Sequence, residues 1–155
     1  MATATVLTAA GKRRLEEELR HLREVQGPEA GRLLREAGED GELDHPAYVD
    51  AQYRCQLINT RAERIARLLA RAEVLEDHHR PADGSAGLGS RVTVIDQDGA
   101  RSEYTLVSSI EANPSAGRIS TESPVGRALF GAKPGETVVA ATPTATLQLR
   151  VLAVR

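Results

Sequence analysis

Glu36-Ala37-Gly38-Glu39-Asp40-Gly41-Glu42-Leu43-Asp44-His45-Pro46 carries five carboxylates and no Lys or Arg. Two glycines and a proline make it a turn and not a stretch of helix. Long helix-forming runs stand on both sides, so the stretch reads as the tip of a helical hairpin. An isolated charge run is ordinarily a solvated loop. Here the flanking arms give the run a reach that a surface loop lacks, which suggests delivery of acid groups to a distant target.

The arm before the tip begins at Leu7-Thr8-Ala9-Ala10-Gly11, with Thr8 as an N-cap and Leu7 as a hydrophobic staple. Leu15, Leu19, Leu22 and Val25 follow at spacings of four, three and three, which places them on one helical face. Gly27-Pro28 predicts a kink, since proline fits the first turn of a restarted helix. The arm after the tip starts near Pro46. Its seam is Ala51, Cys55, Ile58, Ala62, Ile65, Leu69 and Ala72, a heptad spacing that predicts an antiparallel coiled coil with the first arm. Cys55 reads as a small seam residue, the alternative being a reactive thiol. Each arm spans roughly 30 residues, so the hairpin is on the order of 45 Å long.

The expected domain division is a coiled-coil hairpin over 1–77 with its tip near 36–46, a linker over 78–89, and a second domain over 90–155. Gly84, Gly87 and Pro81 mark the linker. His78 and His79 are adjacent and lack a third ligand nearby, which argues against a metal there. Beyond Gly89 the period changes to two. Arg91–Ile95 and Arg101–Val107 read as strands around an Asp96-Gln97-Asp98-Gly99 turn. A short third strand is expected over 117–120, and a helix over 124–130 with Ser123 as N-cap and Gly131 as stop. Strands over 137–141 and 146–154 complete an antiparallel sheet. The fold class is therefore α+β.

The chain has 155 residues with 41% hydrophobic and 27% charged content, which is a globular composition. Aromatics make up only 3%, so the core must be aliphatic. The net charge of −2 gives no bulk attraction to nucleic acid, so any such role needs a local patch. No apolar run after Met1 resembles a signal, and none is long enough to span a bilayer. One cysteine cannot form an intramolecular disulfide, and a reducing cytoplasm is the expected home. Arg54, Arg61, Arg64, Arg67 and Arg71 lie roughly along one side of the second arm. They read either as a solvated flank, with Glu63 as partial partner, or as a basic stripe for RNA or another acidic surface.

Four pieces in order resemble the bacterial GreA/GreB transcription elongation factors. They are Leu7-Thr8-x-x-Gly11-x-x-x-Leu15-x-x-Glu18-Leu19, the tip Gly41-Glu42-Leu43, Ala72-Glu73-Val74-Leu75, and Ser123-Pro124-x-x-x-x-Leu129-x-Gly131-x-x-x-Gly135-Glu136. The resemblance implies an N-terminal antiparallel two-helix coiled coil and an FKBP-like C-terminal domain with an antiparallel sheet and one short helix. It implies docking on bacterial RNA polymerase beside the secondary channel, and entry of the acidic tip toward the active-centre Mg²⁺. There Glu42 and Asp44 would share that Mg²⁺ with the polymerase and orient water for cleavage of backtracked RNA at the nascent 3′ end. Glu39, Asp40 and His45 would be secondary tip residues. Ser123, Pro124, Leu129, Phe130 and Gly131 fall in the stretch implied to dock on the polymerase, with core packing the other reading for Leu129 and Phe130. Such a protein is an enzyme's cofactor and not an enzyme, holds no tightly bound cofactor of its own, and is expected to be a monomer.

The family's tip usually reads Gly-Asp-Leu-x-Glu-Asn-x-Glu-Tyr. Here it is Gly41-Glu42-Leu43-Asp44-His45-Pro46-Ala47-Tyr48, one residue shorter from first acid to tyrosine. Acids at i, i+2 do not point as an i, i+3 pair does. The alternative is therefore a paralogue with an altered tip, which enters the same channel and pauses or inhibits the polymerase without cleavage. Two other classes compete. A prolyl isomerase would need an aromatic-lined pocket, and the second half offers only Tyr104 and Phe130. A coiled-coil adaptor would be indifferent to loss of Glu42 and Asp44.

Overall fold

A computed structural model describes residues 5–75 and 81–155. It divides into two compact units, one of Lys12–Ala72 and one of Met1–Gly11 with Glu73–Arg155. The first is the helical hairpin. Its leading arm comprises α1 (Ala9–His21), a π-helical turn (Leu22–Gln26) and α2 (Gly27–Ala37), and its returning arm is α3 (Pro46–Arg71).

The leading arm continues through Gly27-Pro28, with the π-helical turn Leu22–Gln26 immediately before them. Pro28 has no N–H, and in a regular helix its ring would crowd the carbonyl of Glu24. The π turn widens the helix there, and the Gly27 N–H donates to the Leu22 carbonyl, five residues back. The extra residue shifts the phase of the arm. Leu15 and Leu22 are buried as expected, but Val25 is 49% exposed, and Ala30 is the next buried position. Placing Val25 on the packed face was thus wrong. On α3 the expected seam holds: Ala62 and Ile65 are buried, and Ala51, Cys55, Ile58 and Leu69 are half-buried. Arg61 crosses to the leading arm, where its Nε and Nη2 donate to the two oxygens of Glu18 at 2.7 and 3.0 Å.

The second unit holds a five-stranded sheet ordered β5-β4-β3-β7-β6. Its strands are β3 (Arg91–Ile95), β4 (Arg101–Val107), β5 (Arg118–Ser120), β6 (Thr137–Ala141) and β7 (Thr146–Val154), and α4 (Pro124–Leu129) follows β5. Alternation sets the faces: Val92 and Val94 are buried while Arg91 is exposed. The core is aliphatic, built from Ala86, Val92, Val94, Leu106, Ile119, Leu129, Leu149 and Val151. The sheet is mixed and not wholly antiparallel. β5 runs parallel to β4 with Leu106 opposite Ile119, because the loop after Val107 carries the chain back along β4 before β5 begins.

A second, two-stranded parallel sheet pairs β1 (Val6–Thr8) with β2 (Glu73–Leu75). Ala72-Glu73-Val74-Leu75 therefore leads out of α3 into a strand. Ala72 turns to an extended ψ of 135°, and the Glu73 N–H donates to the Thr5 carbonyl at 3.0 Å. The described residues up to Gly11 and those from Glu73 on thus group with the sheet-bearing unit. Residues 78–80 of the expected linker, with His78 and His79, lie outside the described residues. The remainder is no loose linker: Ala86 is buried, its N–H donates to the Ala132 carbonyl at 2.8 Å, and its own carbonyl accepts from Gly131 at 2.7 Å.

Candidate functional site: the acidic hairpin tip

The tip is two consecutive tight turns. Gly38 ends α2, and the Gly41 N–H donates to the Gly38 carbonyl at 3.1 Å. Gly41 has φ +73°, the left-handed region where glycine carries no Cβ penalty. The His45 N–H then donates to the Glu42 carbonyl at 3.3 Å. Glu42 and Asp44 therefore stand on a turn and not on a helical face, so helical spacing does not govern how they aim.

His45 is the N-cap of α3, and its Nδ1 accepts the Ala47 N–H at 3.2 Å. That nitrogen is thereby engaged with the backbone. Pro46 at the first helical position loses nothing by lacking an N–H. Tyr48 lies half-buried one turn on, and a Cβ placed on Gly38 would sit 3.1 Å from its ring. The ring thus packs on the Gly38 backbone and ties the two arms together behind the tip, a contact that sequence spacing alone did not reveal.

Glu36 is taken up by Arg32 at 2.5 Å. Glu39, Asp40, Glu42 and Asp44 are all exposed, and none of them makes an ion pair among the described residues. Four carboxylates thus stand free of cations on one short loop. Carboxylate oxygens suit a hard cation such as Mg²⁺. No three His, Cys, Asp or Glu side chains among the described residues are grouped to hold a metal ion by themselves. The tip can contribute ligands to an ion held partly elsewhere.

The five arginines of α3 differ in their partners. All are exposed, but the hydrogen bonds that Arg61 donates to Glu18 commit it and raise its pKa, while Arg67 meets Glu63 at 3.7 Å. Arg54, Arg64 and Arg71 make no ion pair among the described residues.

In the other unit, Ser123 caps α4. Its Oγ accepts from the Gly126 N–H at 3.1 Å and donates to the Ser120 carbonyl at 2.7 Å. Pro124 occupies the first turn. Leu129 is fully buried in the core, whereas Phe130 is 55% exposed, and Gly131 has φ +81°. The two readings of this pair separate accordingly: Leu129 is core and Phe130 is surface. Phe130 forms one wall of a groove of about 590 Å³, whose apolar lining includes Val6, Leu75, Leu88 and Ile110. Gly126 went unnoticed in the sequence; a Cβ there would stand 1.8 Å from the Ser120 carbonyl oxygen, so only glycine fits.

Comparison with known proteins agrees along the whole chain. Residues 5–74 match the family described as transcription elongation factor, N-terminal, and residues 81–155 match transcription elongation factor, GreA/GreB, C-term. The chain is 42% identical over 153 residues to the transcription elongation factor GreA of Thermomicrobium roseum, covering 96% of each. It is 39% identical to that of Chloroflexus aggregans, covering 97% of each. Among solved structures it is similar to the transcription factor Gfh1, with 32% identity, a TM-score of 0.50, and coverage of 100% of this chain and 99% of that one. A hairpin with an acidic tip, a sheet-bearing second unit and family matches over both halves together place this chain in the GreA/GreB family of transcription elongation factors.

Proposed function

We propose that the chain binds bacterial RNA polymerase at the secondary channel and presents its hairpin tip to the active-site Mg²⁺, stimulating cleavage of backtracked RNA. The observation that carries the reading is the set of four carboxylates, Glu39, Asp40, Glu42 and Asp44, free of cations on one turn. Glu42 and Asp44 are the acids assigned to the metal and its water. The polymerase's Mg²⁺ supplies Lewis-acid activation of the phosphodiester and of water. Oxygen ligands from the tip suit that ion. The chain is then a monomeric cofactor of the polymerase, working in the cytoplasm beside the nascent RNA 3′ end. Phe130 and the Ser123–Gly131 stretch are the proposed docking contact.

A second reading has its own observation. His45 and Pro46 shorten the tip, and His45 Nδ1 is held in the helix cap. A displacement of about 1 Å can cost on the order of 100-fold in rate, so an altered tip can occupy the channel and slow the polymerase without cleavage.

The test is transcript cleavage on stalled, backtracked elongation complexes, with wild type beside Glu42→Ala and Asp44→Ala. Shortening of the RNA by wild type and not by the variants supports the cleavage reading. Binding with slowed elongation and no cleavage selects the second reading. Absence of polymerase binding defeats both.

A further inference from the structure

Val49, Tyr53, Leu57, Thr60, Arg64, Arg67 and Arg71 follow one another at steps of four, four, three, four, three and four. At about 100° per residue they share one face of α3, roughly opposite the packed seam of Ala51 through Leu69. Val49, Tyr53 and Leu57 are 52%, 60% and 52% exposed, and the four polar members are exposed too. One continuous row is therefore apolar in the half near the tip and basic in the half away from it. Arg64 and Arg71 make no ion pair among the described residues.

Single exposed apolar residues need no explanation, but three large ones on successive turns of one face mark an interaction surface. The row faces away from the coiled-coil seam, so the hairpin does not cover it. A second copy fits poorly, because three half-exposed side chains offer well under the roughly 800 Å² per partner of a stable complex. Nucleic acid fits poorly as well, since the apolar half has only Arg54 beside it and Asp50 offsets that charge. A protein surface that is apolar and then acidic along its length complements both halves. A small area suffices when the partner is held elsewhere, because the second contact is then intramolecular.

We infer that this outer row of α3 docks against RNA polymerase, on a protein surface apolar opposite Val49, Tyr53 and Leu57 and acidic opposite Arg64 and Arg71. The inference rests on the polymerase reading but concerns the flank and not the tip. Arg71 stands 22 positions after Val49, so the row is about 33 Å long at about 1.5 Å per residue. Contact along that length fixes the rotation and depth of the hairpin.

The experiment is competition of the full-length chain against labelled wild type for RNA polymerase core, read as affinity. The triple variant V49S/Y53S/L57S and the pair R64Q/R71Q are each expected to bind at least about tenfold more weakly, as interface anchors do. Helix content and thermal unfolding remain near wild type because the side chains are exposed. Equal affinity of wild type and the triple variant overturns the inference while leaving the polymerase reading intact. Failure of wild type to bind overturns both. A wild-type dimer in sedimentation that Y53S dissolves assigns the row to a second copy instead. If R64Q/R71Q weakens binding to an RNA oligonucleotide but not to polymerase, the basic half belongs to nucleic acid and the inference fails.

Discussion

Thr8 and Glu111 lie 103 positions apart and are joined twice: the Thr8 Oγ1 donates to Glu111 Oε1 at 2.6 Å and the Thr8 N–H donates to Oε2 at 3.1 Å. The same Thr8 oxygen accepts the Gly11 N–H at 2.9 Å, which caps α1, and Ser108 Oγ donates to Glu111 Oε2 at 3.0 Å. Glu111 is buried. Its carboxylate lies against the first turn of α1, where the helix dipole favours negative charge. Glu111→Ala should therefore cost about 2–3 kcal/mol, because charged hydrogen bonds are lost and buried donors are left unpaired. Thr8→Ala should cost about 1 kcal/mol as a lost cap. Chemical denaturation of the two single variants and the double variant should give a coupling of about 1–3 kcal/mol. Additive losses would deny that the two residues act together.

Gly11 answers to the same carboxylate. A Cβ on Gly11 would meet Glu111 Oε1 at 1.6 Å. Alanine is the better helix former by about 1 kcal/mol, so propensity alone predicts that Gly11→Ala stabilises. The geometry predicts the opposite sign, a loss of about 1–3 kcal/mol, as in other overpacked sites. A denaturation midpoint decides between them.

The π turn separates two residues that a regular helix would place on one face. Leu22→Ala should cost about 2–4 kcal/mol, the usual range for a buried leucine. Val25→Gln should lie within about 0.5 kcal/mol of wild type, as an exposed substitution does. Comparable losses at both positions would mean that the leading arm is a regular helix.

Asp83 makes an acid-side prediction. Its carboxylate accepts from the Ser85 hydroxyl and backbone N–H and lies 3.3 Å from Lys133, which together lower its pKa from 3.8 to about 2. A carboxyl lowered on folding contributes stability that is full above its unfolded pKa and is lost as pH falls through its folded one. The contribution of Asp83 should thus disappear between about pH 4 and pH 2. Asp83→Asn should be less stable than wild type at neutral pH, and the two should converge across that window. Parallel stability curves from pH 5 to 2 would refute the assignment.

Leu129 and Phe130 should part company. Leu129→Ala removes a fully buried side chain and should cost about 3–4 kcal/mol. Phe130→Ala should cost less than about 1 kcal/mol while weakening binding to RNA polymerase. Full polymerase affinity in the folded Phe130→Ala protein would remove that residue from the docking contact.

Features that depend on local period and turn chemistry could be read from the residues alone. The α3 seam, the turn at Asp96–Gly99 and the strands Arg91–Ile95 and Arg101–Val107 were legible because a heptad, an alternation and a turn signal act over a few residues. The acidic character of the tip was legible for the same reason. Tertiary structure alone decided the β1–β2 pair, the parallel placement of β5 and the Thr8–Glu111 link, since each joins segments whose sequences carry no mark of their partner. It also turned Val25 outward, because Val25 lies within the π turn Leu22–Gln26, whose wider winding changes the phase just before Pro28. Leu129 and Phe130 are neighbours of similar hydrophobicity, and only the end of α4 sends one into the core and leaves the other at the surface. At the tip, composition placed the acids, but the direction of Glu42 and Asp44 followed from two turns and a histidine cap that backbone hydrogen bonding sets.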